Sequence, residues 1–302
     1  DSAAINHLRQ AIERAAPTGS RVLITGPAGS GKEVAARMLH KLSHRATQPF
    51  VVINCATMAP ESMELELFGA ESDRAGGEVT PARIGLFEQA HMGTLLLDEI
   101  GDMPMETQGK IVRALQEQTF VRVGGTRKIH VDVRVVATTT RDLKDEITKG
   151  RMREDLYYRL NTISIDLPAL RHRREDIPLL AAHFLDRYAT GPRSHLKGFE
   201  PEALDALRKY HWPGNVRELE NTVERAAVLA RGDLITLADL RLPASQGDLV
   251  FDPDMTMKEV ERRHVLSALD HNDGNVSETA KQLGVSRRWL HYRLKEWKDD
   301  DD

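Results

Sequence analysis

Gly26-Pro27-Ala28-Gly29-Ser30-Gly31-Lys32-Glu33 (GPAGSGKE) follows the apolar run Val22, Leu23, Ile24 and precedes the helix-compatible stretch Val34, Ala35, Ala36. Strand, glycine-rich turn and helix in that order make a GxxxxGK phosphate loop, and with it a nucleoside triphosphate site. Gly26, Gly29 and Gly31 let successive backbone N–H groups curl around phosphate oxygens, while Lys32 sets a point charge at the β and γ phosphates. The helix that follows adds the favourable potential of its N-terminus. Glu33 is the departure, because a carboxylate replaces the hydroxyl residue that usually follows the lysine and holds magnesium.

Outward from the loop, apolar runs alternate with helical patterns: VLI at 22–24, FVVI at 50–53, TLLL at 94–97, VRVVAT at 133–138 and ISIDL at 163–167. That alternation predicts a mostly parallel α/β sheet in an α/β subdomain over 1–170. Over 171–240 strands are not expected, and Ile177 to Tyr188 and Glu202 to Tyr210 carry apolar residues at helical spacing, as in a helical lid. Residues 241–254 mix Pro, Gly, Ser and Asp and read as a linker. A helical module over 255–298 and an acidic tail at 299–302 close the chain.

Composition narrows the function classes. The 302 residues are 40% hydrophobic, enough for about two domains with ordinary cores. No stretch approaches the roughly 18 uninterrupted apolar residues of a membrane span, and DSAAINHLRQ lacks the zones of a signal peptide, so no membrane partner and a cytoplasmic location are expected. Cys55 is the only cysteine, which excludes an internal disulfide or a cysteine zinc cage. Lys plus Arg (42) against Asp plus Glu (46) gives a net charge of −4, so any nucleic-acid contact must be local. His40, His44 and His91 show no metal-ligand spacing and are expected to be structural or exposed. Arg171 to Arg174 beside Glu175 and Asp176 read as a solvated turn.

A second element supports the nucleotide reading: the run Thr94 to Leu97 leads directly into Asp98 and Glu99. At the end of a buried strand Asp98 can hold Mg2+, directly or through water, and Glu99 can polarise the water that attacks the γ phosphate of ATP.

These elements sit among ELFG at 66–69, RIGLFEQA at 83–90, GTLLLDEIGDMP at 93–104, LQEQTFVRVGG at 115–125, REDLYYRLN at 153–161, REDIPLL at 174–180 and WPGNVRELEN at 212–221. So many segments, in this order, resemble the bacterial enhancer-binding proteins, the AAA+ ATPases that activate sigma-54 RNA polymerase and are typified by nitrogen-regulation response regulators. The resemblance implies an AAA+ P-loop NTPase domain with a helical lid, plus a C-terminal all-α Fis-type helix-turn-helix domain. In that family Glu commonly follows the loop lysine, so Glu33 becomes a family mark.

The resemblance also implies roles. Arg153 and Arg159 resemble arginines presented to a neighbouring subunit's nucleotide, with Arg159 the preferred finger; the competing reading is surface pairing with Glu154 and Asp155. Arg217 resembles the lid arginine that senses the γ phosphate, its competitor an ordinary exposed helix charge. Asn54 resembles the residue that pairs with the strand-end glutamate and gates it, against a plain strand-end cap. Thr140 stands where the family has a nucleotide-sensing asparagine, which predicts altered coupling rather than lost binding. The larger departure lies between ELFG and RIG, where the family carries a GAFTGA loop that touches sigma-54. Here Ala70 to Ala82 read AESDRAGGEVTPA without an aromatic, as in an NtrX-like branch with a degenerate loop, and contact with sigma-54 polymerase is left open.

At the C-terminal end, Asn275 to Glu278 form a capping box; Val276, Thr279, Ala280 and Leu283 follow at helical spacing, Gly284 makes the turn and Ser286 caps the next helix. Leu290, Leu294 and Trp297 share one face, Arg287, Arg288, His291 and Lys295 lie largely on the other, and Trp289 and Tyr292 are expected to pack. From Met255 to Lys298 nine Lys plus Arg face six acids, a net of +3 suited to phosphate contact. This reads as a helix-turn-helix, the competing reading being a helical hairpin with a solvated basic face, which the likeness to the Fis-type domain weakens; a dimer reading palindromic double-stranded DNA is expected.

Three functions remain open at this point. The first is an upstream-binding ATPase that assembles from dimers into a ring and remodels sigma-54 polymerase. The second is a DNA-binding response regulator in which ATP controls oligomerisation only, and the third, a general AAA+ remodeller, is weakened by WPGNVREL and the Fis-like module. The family further implies an N-terminal receiver domain addressed by a sensor kinase, and a start at Asp1 without Met is expected of a fragment.

Overall fold

In the computed structural model, residues 2–72, 82–190, 195–242, 256–272 and 275–299 are described. Five parallel strands form the central sheet: β1 (Val22–Thr25), β2 (Phe50–Asn54), β3 (Thr94–Asp98), β4 (Arg134–Thr139) and β5 (Ile163–Asp166), in the order β2-β3-β4-β1-β5. Each coincides with an expected apolar run to within one residue at either end. Side chains alternate between two cores, as the pleat requires. Val22, Ile24, Leu96 and Val136 pack with Ile12 and Leu39 on one face, while Leu23, Leu95, Leu97, Val135 and Ala137 pack with Leu67, Ile111 and Leu156 on the other.

Parallel order puts the carboxyl ends of all five strands on one edge. There β1 runs into the glycine loop and then the helix Lys32–Lys41, and β3 delivers Asp98 beside Asn54 of β2. The first helix, Ala3–Ala15, is capped by Ser2, whose Oγ accepts the N–H of Ile5. Ser2 N–H and Oγ–H also donate to the two carboxylate oxygens of Asp176, each at 2.7 Å. At the other end the buried guanidinium of Arg134 in β4 donates to the carbonyls of Ala15, Ala16 and Ser20.

Helices Ile177–Tyr188, Pro201–Lys209 and Asn215–Leu229 build the lid. Strands do not vanish here altogether: Gly198–Phe199 pairs in parallel with Leu234–Ile235, two residues each and too short to show periodicity in a sequence. The charged turn before the lid is not simply solvated either. Arg171 and Arg174 are exposed, but Arg173 and Asp176 are buried, because each finds backbone or hydroxyl partners inside.

By its internal contacts the chain divides into two compact units, Asp1–Leu240 and Arg241–Asp302. The second contains helices Met257–His271, Val276–Leu283 and Arg287–Asp299 around Val265, Ala280, Leu290 and Trp297. Asn275 caps the middle helix by accepting from Ser277 and Glu278 N–H, and Gly284 closes it in the left-handed region at φ 67°. The capping box is half made: the N–H of Asn275 goes to the carbonyl of Asn272 rather than to Glu278. Most of the expected linker, and the tail beyond Asp299, lie outside the described residues. Among the described residues no helix is long and apolar enough to cross a membrane.

Candidate nucleotide site and nucleic-acid interface

The glycine loop takes the backbone its sequence promises, with Gly26, Gly29 and Gly31 at φ 148°, 72° and 103°. Gly29 is constrained twice, since a Cβ there would sit 2.2 Å from the carbonyl oxygen of Gly214. Lys32 is buried, and its Nζ donates to the Gly26 carbonyl at 3.0 Å and meets Glu99 Oε1 at 3.1 Å. Pro27 turns the loop by accepting from Ser30 N–H. Glu33 faces away from this cluster in its partnership, bonding Arg37 one turn along the exposed helix face.

Asp98 and Glu99 are held by different neighbours. Asp98 accepts from Thr138 Oγ at 2.5 Å through one oxygen and from Asn54 Nδ2 at 3.1 Å through the other. Glu99 sits in the left-handed region at φ 55°, an uncommon choice for a non-glycine residue and one that surrounding bonds must fix. Its N–H donates to Thr138 Oγ, and its Oε2 accepts from both the N–H (2.8 Å) and the hydroxyl (2.9 Å) of Thr140. Asn54 therefore meets Asp98, whereas the expectation paired it with Glu99. Its Oδ1 also accepts from Ala56 and Thr57 N–H, the strand-end cap of the competing reading. Thr140 touches Glu99, a contact the sequence reading did not anticipate.

Beside these residues lies an open cleft of about 530 Å³, lined by Gly26, Pro27, Thr139, Thr140, Tyr157 and Asn161 among others. Below it Cys55 is buried, and burial, reinforced by Asp98, Asp102 and Glu99, pushes its thiol up to about 12. A thiol raised this far by burial is a poor nucleophile at neutral pH.

The two REDLYYRLN arginines differ. Arg153 is exposed and bonds Asp155 through two nitrogens, as the surface-pairing reading has it, which raises the pKa of the arginine and lowers that of the acid. Arg159 makes no such pair among the described residues, and its Nε is buried without a hydrogen-bond partner. From the lid, Arg217 stands exposed one residue after Val216, whose N–H bonds the Gly29 carbonyl. Two further residues reach the loop without having been singled out for it: Asn215 Nδ2 donates to the Ala28 carbonyl and Arg173 Nη2 to that of Ser30, both at 2.8 Å.

In the second unit Arg287, Arg288 and His291 are exposed on the last helix, whose apolar face, Leu290, Leu294 and Trp297, packs inward. The side chain of Lys295 lies outside the described residues. Ser286 Oγ accepts from Trp289 N–H as expected. Trp289 packs, but Tyr292 is 67% exposed, because its position falls on the basic face. Arg293 pins the helix by pairing with Glu261 and Glu296.

Glycine loop, strand-end acids and helical lid define a P-loop NTPase fold of the AAA+ class joined to a Fis-type helix-turn-helix. Comparison with known families matches the Sigma-54 interaction domain over residues 1–166, the AAA+ ATPase lid domain over 171–249 and the bacterial regulatory protein, Fis family, over 256–297. The chain belongs to the family of sigma-54-interacting AAA+ transcriptional regulators. It is 46% identical over 296 residues to the transcriptional regulatory protein ZraR of Escherichia coli (strain K12), and 44% identical over 309 residues to the nitrogen assimilation regulatory protein NtrX of Azorhizobium caulinodans. Each alignment covers 97% of this chain and 67% of the relative. Among solved structures, NtrX from Brucella abortus in complex with ADP is similar at a TM-score of 0.74 and 42% identity, covering 98% of this chain and 68% of that one.

Proposed function

We propose that the chain is an ATP-hydrolysing, DNA-binding regulator of transcription, of the response-regulator type, that assembles into an oligomer with ATP. The observation that carries this reading is the convergence of Lys32, Glu99 and Asp98 at the carboxyl edge of the sheet, beside the glycine loop. Lys32 meets one oxygen of Glu99. Phosphates entering the loop draw Lys32 to themselves and leave that oxygen to polarise water, while Thr140 keeps the other in place. Asp98 retains lone pairs on both oxygens and suits Mg2+, whose charge would offset that of the phosphates; Glu33, engaged with Arg37, does not reach toward it. Arg217 reads the γ phosphate from the lid, and Arg159 serves the nucleotide of a neighbouring subunit. NtrX from Brucella abortus has been crystallised with ADP and with ATP, which supports nucleotide binding here.

Arg287, Arg288, His291 and Lys295 contact DNA, the first two nearest the base edges. A second reading is favoured by Ala70 to Ala82: without an aromatic in that loop, most of which lies outside the described residues, ATP controls oligomerisation and sigma-54 is not remodelled. A sensor kinase acting through a receiver domain upstream completes the first reading.

Steady-state hydrolysis by wild type, Glu99→Ala and Arg159→Ala tests the enzymatic assignment; unchanged rates in both variants remove it. Open-complex formation on matched sigma-54 and sigma-70 templates separates the two readings, since activity only on the sigma-70 template rejects sigma-54 remodelling.

A further inference from the structure

Three consecutive carbonyls of the glycine loop are bonded from the lid side. Ala28 accepts from Asn215 Nδ2 (2.8 Å), Gly29 from the N–H of Val216 (3.0 Å) and more weakly of Arg217 (3.4 Å), and Ser30 from Arg173 Nη2 (2.8 Å). The donors are unusual in their own right. Asn215 is 3% exposed, holds a left-handed backbone at φ 54°, and uses its Oδ1 to accept from Leu170 N–H at the start of the lid. Arg173 is 7% exposed, has no carboxylate within ion-pair distance among the described residues, and leaves its Nε buried without a partner, as is Ser30 Oγ beside it. Burial lowers the pKa of Arg173, with Asp176 offsetting part of that cost, and a buried cation whose side chain bonds one carbonyl is expensive to keep.

We infer that the lid sets the phosphate affinity of the loop through these carbonyls, with Arg173 and Asn215 as positioning residues that need not touch the nucleotide. A peptide unit whose carbonyl is fixed on one side has its N–H fixed on the other, so tying the Ala28 and Ser30 carbonyls outward aims the amides of Gly29 and Gly31 into the cradle, while the N–H of Ser30 closes the turn on the Pro27 carbonyl. Arg173 adds a buried positive charge behind the loop, screened little by solvent. Lid orientation and anion affinity thereby become one variable, and a lid that rotates away loosens the cradle. The inference rests on the nucleotide reading above for its purpose, though not for its geometry.

Two measurements on the full chain test it. The first is hydrogen exchange of the peptide covering residues 26–36 without nucleotide, in wild type, R173M, R173K and N215D. Exchange at least ten-fold faster in R173M and N215D, with R173K intermediate, is expected; unchanged exchange in folded R173M overturns the inference. The second is the affinity for ADP and for inorganic tripolyphosphate, expected to fall about ten-fold or more in R173M and N215D and to recover in part in R173K. Leu207→Ala, in the lid core away from the loop, controls for stability: equal loss of affinity at equal loss of melting temperature makes the role merely structural and overturns the inference. Wild type that binds neither ADP nor tripolyphosphate removes the functional reading, while the exchange result still decides the grip.

Discussion

Glu99, the proposed base, is a left-handed residue held by four contacts from three neighbours, one each from Lys32 and Thr138 and two from Thr140. Glu99→Gln keeps the shape and removes the proposed base, so hydrolysis should fall at least about 100-fold while ATP still binds, read from kcat and from equilibrium binding. Gly29→Ala forces a Cβ onto the Gly214 carbonyl and strains φ, and should abolish ADP binding in a protein whose circular dichroism is unchanged. His40, buried against Thr94 and the Phe50 ring, has its pKa lowered from 6.5, chiefly by burial and further by Arg134, against a raising bond from the Gln48 backbone. The unfolded chain binds a proton there below about pH 6.5 that the folded chain refuses, so this residue makes stability fall as pH drops through that value. Melting temperature between pH 7.5 and 5.5 should decline less steeply in His40→Gln.

At the scale of elements, the five strands were legible because a parallel strand covered on both faces is a near-continuous apolar run, and those five runs stand out from the chain around them. The helix-turn-helix was legible for a different reason, since Asn275, Gly284 and Ser286 punctuate it with caps whose chemistry is local. What escaped reading joins elements distant in sequence. Asn215 meets Ala28 across 187 positions and Arg173 meets Ser30 across 143, and nothing in one sequence ties such partners together. The resemblance pairs Asn54 with Glu99, whereas the β2–β3 register sets Asn54 opposite Asp98, its hydrogen-bond partner, with Glu99 just beyond the strand end. Leu290→Ala removes a fully buried side chain from the core of the second unit and should destabilise that unit by about 2–5 kcal/mol, leaving the first unit's melting unchanged in calorimetry.

For the whole molecule, the residues proposed for nucleotide and for DNA fall in separate compact units, so their defects should separate as well. Arg288→Ala should weaken specific DNA binding by about 1–3 kcal/mol and leave basal hydrolysis intact, measured by operator titration beside an ATPase assay. Arg159→Ala should reverse that pattern, and its loss of hydrolysis should not be rescued by raising protein concentration, if as proposed the missing group serves the neighbour's site rather than the contact that assembles it. Net charge concealed this division: −4 overall says nothing of a C-terminal module that carries +3 from Met255 to Lys298.

The first helix ties two of these scales together. Its leading residue is clamped to Asp176 by two bonds, and its far end is held through three carbonyls by Arg134 in the middle of the sheet. The helix thus bridges the middle strand of the sheet and the buried turn that carries Arg173, three residues before Asp176, whose guanidinium bonds the Ser30 carbonyl at the back of the glycine loop.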